Sequence, residues 1–126
     1  MLSKLMRFDY SRDVVLVATQ TSKEGDKILG VFRLMCGPDG KRGEFSLVVG
    51  DPWHGMGVGA RLFQYGLAMA EKRGIESVLG FVLPENTTMI AMARKLGFNT
   101  KWDSDAGAYE LRKDLMQTRT QTGRVA

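Results

Sequence analysis

The chain has 126 residues and carries 18 Lys+Arg against 14 Asp+Glu, giving a formal net charge of +4 and a pI near 9.4. With 44% hydrophobic and 25% charged residues it has the composition of one soluble globular domain. A single cysteine, Cys36, and a single histidine, His54, exclude an internal disulfide and provide no ligand set for a structural zinc, so no metal is expected.

The opening MLSKLMRFDYSRD is too charged for a signal-peptide core, and no apolar run approaches the ~18 residues of a membrane span. We therefore expect a reduced, cytoplasmic protein with no membrane partner. The basic pI suggests nucleic acid, but the charge is badly placed for it. Residues 112–126 hold Arg112, Lys113, Arg119 and Arg124 against Asp114 alone, leaving 14 basic and 13 acidic groups in the other 111 residues. Nucleic-acid binding calls for a basic stripe on a folded face. None is visible here, and no nucleic-acid partner is expected.

Residues 1–7 place Leu2, Leu5 and Met6 at helical spacing and suggest the last turns of a helix. Asp13 to Thr19 (DVVLVAT) reads as a strand, TSKEGD as a polar loop, and Lys27 to Met35 as a second strand. GPDGKRG has turn chemistry throughout and predicts a hairpin. Glu44 to Val49 is the returning strand, with Phe45, Leu47 and Val49 on one face and Glu44, Ser46 and Val48 on the other. A helix follows from about Val58 to Arg73. Its polar stripe is Arg61, Gln64, Glu71 and Lys72, and the rest is largely apolar. Gly74 stops it, and Ser77 to Leu83 is a near-continuous apolar run, as expected of a buried parallel strand ended by Pro84. Asn86 is a good N-cap for a short helix to Leu96, with Gly97 closing it in the left-handed conformation and Phe98 packing back. Strands Phe98 to Asp103 and Ala108 to Lys113 flank the turn SDAG. We expect one folded unit over 1–115 and a disordered tail over 116–126, where almost no apolar residue remains.

His54-Gly55-Met56-Gly57-Val58-Gly59-Ala60 joins a strand to a helix. Glycines there let the backbone approach a ligand, and the helix N-terminus offers free N–H groups to an anion. A tight strand-to-helix connection would use the same glycines with no ligand at all. Without GKS or GKT the loop is not a mononucleotide P-loop. The spacing Gly55-x-Gly57-x-x-Ala60 satisfies a dinucleotide fingerprint, with Glu85 as the ribose acid. That reading fails on context, because Asp51 to His54 separate the strand from the first glycine and three strands precede it.

The remaining phosphate binder fits better. His54-Gly55-Met56-Gly57-Val58-Gly59 resembles the pyrophosphate loop of the Gcn5-related N-acetyltransferases (GNAT), with His54 where Gln or Arg is usual. Leu47-Val48-Val49 resembles the family's bulged strand before the loop. PENTTMIAMARKLGF resembles its downstream helix motif, with Asn86 at the cofactor-contacting asparagine. Over about Leu5 to Leu115 the chain is most similar to the acetyltransferase domain of bacterial protein lysine acetyltransferases. The resemblance implies an α/β fold with a mixed, mostly antiparallel sheet flanked by helices. The family begins with a further strand and two helices, which this chain is expected to lack. It further implies a fused synthetase-like or regulatory domain, or a second chain that completes the fold.

The implied cosubstrate is acetyl-CoA and the implied acceptor an amine, foremost a protein lysine. Holding a lysine neutral at pH 7 costs about 4.6 kcal/mol, which a base in the site offsets. On the residues alone Glu44 is an ordinary solvated glutamate at a strand end; the resemblance makes it the general base. The family's oxyanion donor, a backbone N–H freed by the bulge, falls at Leu47, Val48 or Val49. The pyrophosphate falls on the amides of Gly55, Met56, Gly57, Val58, Gly59 and Ala60. His54 adds a side-chain donor or simply packs beside Trp53. Where many relatives have a tyrosine as general acid, this chain has Ala93, leaving Tyr10, Tyr65 and Tyr109 as unplaced candidates. A thiol of pKa near 8.5 is a tolerable leaving group without that acid. Cys36 has no evident basic partner and reads as inert, and Met89 and Met92 read as core. Two other readings stay open: a non-catalytic acyl-CoA-binding regulatory module, and an acetyltransferase for a small amine.

Overall fold

A computed structural model describes residues 3–10, 12–50 and 57–115. Seven strands and two helices follow in the order β1 (Ser3–Asp9), β2 (Asp13–Ser22), β3 (Gly25–Cys36), β4 (Arg42–Val49), α1 (Val58–Lys72), β5 (Ser77–Val82), α2 (Thr87–Lys95), β6 (Asn99–Asp103) and β7 (Ala108–Asp114). The strands form one sheet in the order β1-β2-β3-β4-β5-β7-β6. Only β4 and β5 run parallel; every other neighbouring pair is antiparallel.

The first strand corrects the expected helix over residues 1–7. The helical spacing of Leu5 and Met6 is outweighed by the open edge of β2, which β1 pairs from Ser3↔Gln20 to Asp9↔Val14. Backbone hydrogen bonds to a β-branched neighbour decide the conformation of so short a segment. Only residues 10–12 separate β1 from β2, and the Tyr10 N–H donates to the Asp13 carbonyl at 2.8 Å. A strand thus holds the edge that we expected to lack one. No helix lies between it and β2.

TSKEGD makes the expected turn between strands, and the strands run into it, from Ser22 of β2 to Gly25 of β3, so that it closes a tight hairpin. The Ser22 hydroxyl donates to the Gly25 carbonyl at 2.7 Å, and Gly25 turns the chain at φ 111°. The predicted GPDGKRG hairpin is present. In it the Lys41 N–H donates to Asp39 at 2.9 Å and holds that carboxyl below its usual range, with Arg42 adding to the effect.

Along β4 the buried Phe45 and half-buried Leu47 and Val49 alternate with exposed Glu44, Ser46 and Val48, as expected. The β3–β4 register is unbroken from Gly30↔Val49 to Cys36↔Gly43, so the bulge expected at Leu47 to Val49 is absent. The irregularity lies in the next ladder, β2–β3, between Ala18 and Thr19 of β2 and opposite Leu29 of β3.

One core gathers both helices. Leu62, Phe63 and Ala70 of α1 and Ala93 of α2 are fully buried with Phe32 and Leu111 of the sheet. A Cβ on Gly66 would stand 2.2 Å from the Phe32 ring, so α1 crosses the sheet where glycine leaves a slot. Phe45 lies 5.0 Å from Phe63 and 5.6 Å from Phe98, ring centre to ring centre. Because both helices serve this core, β5 is not buried on both sides. Val78 and Val82 face inward, while Phe81 is 46% and Leu83 59% exposed. The apolar run reads as a doubly buried strand only if the second face is covered, and among the described residues no helix covers it.

Candidate functional site

The parallel pairing of β4 with β5 covers only Arg42↔Ser77, Gly43↔Val78 and Glu44↔Leu79. Beyond it β4 stays with β3 and β5 stays with β7, so the sheet parts into a V. A cleft of about 410 Å³ opens between them. Phe45, Ser46 and Leu47 of β4 form one wall and Phe81, Val82 and Leu83 the other, with Glu85, Asn86 and Met89 across the end.

Hydrogen-bond parity shows which backbone groups serve the cleft. The Gly37 N–H donates to Arg42 at 2.8 Å and the Gly50 N–H donates to Leu29 at 3.0 Å. In an antiparallel ladder this assigns the even-numbered residues of β4 to hydrogen-bonded pairs with β3. Val48 therefore spends its backbone on Val31, and its side chain, 67% exposed, lies on the opposite sheet face. Leu47 turns its N–H and C=O the other way, toward β5 where the strands have parted.

The first turn of α1 lies beside the same strand. Gly57 is its N-cap at φ 82°, with no side-chain cap and no acidic residue in the first turn. The first hydrogen bond into the helix is from Arg61 to Gly57, so the N–H groups of Val58, Gly59 and Ala60 precede the helical ladder. An added Cβ on Gly59 would sit 3.3 Å from Val49 and 3.7 Å from Leu47, so the helix start packs against the end of β4. Backbone donors and a positive helix end thus adjoin the cleft, a fit for an anionic group. His54, Gly55 and Met56 lie outside the described residues, as does the tail over 116–126.

Asn86 is at the cleft and caps α2, its Oδ1 accepting the Met89 N–H at 3.1 Å. Gly97 takes φ 89° and the Phe98 N–H returns to Ala93, as the sequence predicts. Glu44 is placed differently. It lines a neighbouring shallow depression of about 400 Å³ with Arg42, Leu79 and Arg112. It lies two residues along the same face from Ser46, at the point where the strands part. Ala93 is fully buried, and none of the three tyrosines lines the cleft; Tyr109 packs edge-on against Trp102 instead. Ser46 carries the one side-chain hydroxyl in its lining.

Ser46, Phe81 and Leu83 escaped the sequence reading, and Met89, read as core, both packs in it and reaches the cleft. The signal for Ser46 is the alternation of β4, and for Phe81 and Leu83 the alternation that runs along β5. Cys36 does have a basic neighbour: Arg73 Nη1 lies 3.7 Å from its Sγ. Among the described residues no group of His, Cys, Asp or Glu is placed to hold a metal, and no helix is long and apolar enough to cross a membrane.

The sequence profile of the acetyltransferase (GNAT) family matches residues 3–98. Among solved structures, the GNAT domain of S. lividans PAT is 28% identical with a TM-score of 0.70 over 86% of this chain and 64% of its own. A cAMP-binding acyltransferase from Mycobacterium smegmatis is 23% identical with a TM-score of 0.71, covering 85% of this chain and 32% of that one. An IAA acetyltransferase from Bacillus cereus is 20% identical with a TM-score of 0.68, covering 82% and 79%. The last two speak for the fold alone. The chain spans less than two thirds of the S. lividans domain and about a third of the M. smegmatis protein.

Proposed function

The chain belongs to the acetyltransferase (GNAT) family, and we propose that it transfers an acetyl group from acetyl-CoA to an amine, foremost a protein lysine. The observation that carries this reading is the parting of β4 from β5 after Glu44↔Leu79, with a helix start that no side chain caps beside it. Acetyl-CoA, when bound, supplies the acetyl group as a thioester. The amides of Gly57, Val58, Gly59 and Ala60, with those of Gly55 and Met56 and the His54 ring, hold its pyrophosphate. Leu47 directs its N–H into the gap, where a donor stabilises charge that develops on a carbonyl oxygen. This makes Leu47 the oxyanion donor; Val48 and Val49 contribute as flanking strand. Asn86 orients the cosubstrate at the far end through the amide group left over from capping.

Glu44 takes the proton from the acceptor ammonium and leaves a neutral nucleophile. The leaving thiolate departs without a protein acid, consistent with a buried Ala93. A cytoplasmic setting, where the pool of acetyl-CoA and reduced Cys36 coexist, suits this chemistry.

The test is CoA release from acetyl-CoA with and without a lysine-containing protein, for wild type and Glu44→Gln. We expect acceptor-dependent release that falls about a hundredfold or more in the variant. A second reading keeps acyl-CoA binding and drops turnover, and Glu44 lining the neighbouring depression favours it. Under that reading calorimetry shows CoA binding, no acceptor is modified, and Glu44→Gln changes nothing. A small-amine acceptor would be revealed by release with free amines and none with proteins. No CoA binding at all would refute all three.

A further inference from the structure

The depression beside Glu44 has a chemical character of its own. On this face of the sheet Glu44, Leu79 and Arg112 stand in one cross-strand row, and Arg42, Ser77 and Asp114 in the next. With strands about 4.8 Å apart, Glu44 and Arg112 lie roughly 10 Å from each other across Leu79. Arg42 and Arg112 are both exposed. The ion pairs among the described residues are Arg7–Asp9 and Arg33–Asp13, so neither arginine is committed to a carboxylate. Asp114 shares the face but forms no ion pair with either. A third guanidinium, Arg73, lies 3.7 Å from the sulfur of Cys36, which lines the same depression.

We propose that Arg42 and Arg112 select acceptor segments in which acidic residues flank the target lysine. The inference rests on the acetyltransferase reading above, with Glu44 as the base. An extended peptide rises about 3.3 Å per residue, so a lysine delivered to Glu44 carries its neighbours two or three positions away to the distance of Arg112. Carboxylates there meet guanidiniums, which donate to them in a two-pronged geometry that a lysine ammonium does not offer. Basic neighbours are repelled by the same groups.

The experiment uses single-lysine peptides whose flanking positions are Asp, Ala or Arg. Acetylation kinetics and peptide anisotropy are measured for the full chain and for an Arg42→Glu/Arg112→Glu variant. Wild type should prefer the Asp peptide over the Ala peptide by about fivefold, expressed in KM and shrinking with added salt. The variant should reverse the order toward the Arg peptide, with acetyl-CoA affinity by calorimetry unchanged. If that affinity is lost, Arg112→Gln alone replaces the double variant and should weaken the Asp preference. Equal use of Asp and Ala peptides by wild type, or an Asp preference that survives charge reversal, overturns the proposal and leaves the acetyltransferase reading intact. Absence of acetyl-CoA binding by wild type is the separate failure of that reading, and anisotropy alone then decides the charge preference.

Discussion

Adding one methyl group at Gly80 probes how the cleft wall is supported. An ideal Cβ there would lie 2.5 Å from Cζ of Phe45 and 2.7 and 2.8 Å from its two Cε atoms. Carbon atoms rest at about 3.5–4.0 Å, so the ring must retreat by about 1 Å. Away from the cleft the ring is hemmed in by its neighbours. Phe45 is 5% exposed and is flanked by Phe32 at 6.1 Å, Phe63 at 5.0 Å and Phe98 at 5.6 Å between ring centres. Overpacking of this kind costs about 1–3 kcal/mol. The loss of unfolded-chain freedom on going from glycine to alanine returns about 0.4–1 kcal/mol. Gly80→Ala should therefore be destabilised by about 1–2 kcal/mol, read as a fall of about 0.5–1 M in the urea midpoint at unchanged m-value. Because Phe45 also lines the cleft, acetyl-CoA affinity should fall with it. Pairing the change with Phe45→Leu should recover part of the loss, giving a coupling energy above about 0.5 kcal/mol. A midpoint equal to or above wild type, or strict additivity with Phe45→Leu, would refute the packing argument.

Other perturbations separate further effects. Gly66→Ala gains about 1 kcal/mol of helix propensity, yet its Cβ would lie 2.2 Å from the Phe32 ring; a lower thermal midpoint with helical circular dichroism retained is expected. Asn86→Ala removes the cap on Met89 and should cost about 1 kcal/mol, whereas Asn86→Asp keeps the cap and should restore stability while weakening CoA binding in calorimetry. At Gly57 an added Cβ meets nothing within 4 Å, but φ is +82°; Gly57→Ala should cost about 1–2 kcal/mol in thermal unfolding, from backbone conformation alone. In Glu44→Gln the residual acetylation rate should climb with pH toward the acceptor's own pKa of about 10.4, while wild type has a shallower profile over the same range.

How far the amino-acid order disclosed this molecule depends on which forces act locally. The Asn86 cap, the Gly97 stop and the alternation of β4 are written in adjacent residues and are found where expected. The first strand is not, because Leu5 and Met6 are equally placed for a helix and their deciding partners in β2, Ala18 and Val17, lie 13 and 11 residues further along the chain. Nor is the parting of β4 from β5, which depends on where a parallel register ends and leaves no mark in composition. That in turn hid Ser46, Phe81 and Leu83, whose exposure follows from what packs on each sheet face. Leu47 was placed at the site by resemblance. Its particular suitability, a backbone turned into the gap, became visible only through the hydrogen-bond parity of the β3–β4 ladder.

The V in the sheet has a mechanical consequence. Four strands hang together on one side and three on the other, and among the described residues their backbone seam is short: three ladder pairs at one end, extended by hydrogen bonds from the Glu76 and Ser77 N–H groups to the Lys41 carbonyl. Cooperation between the two half-sheets is therefore carried by rings: Phe45 and Phe63 from the first half and its helix meet Phe98, which enters the second. With a seam at one end only, the separation of the two half-sheets along the rest of the cleft is set by how these three side chains pack.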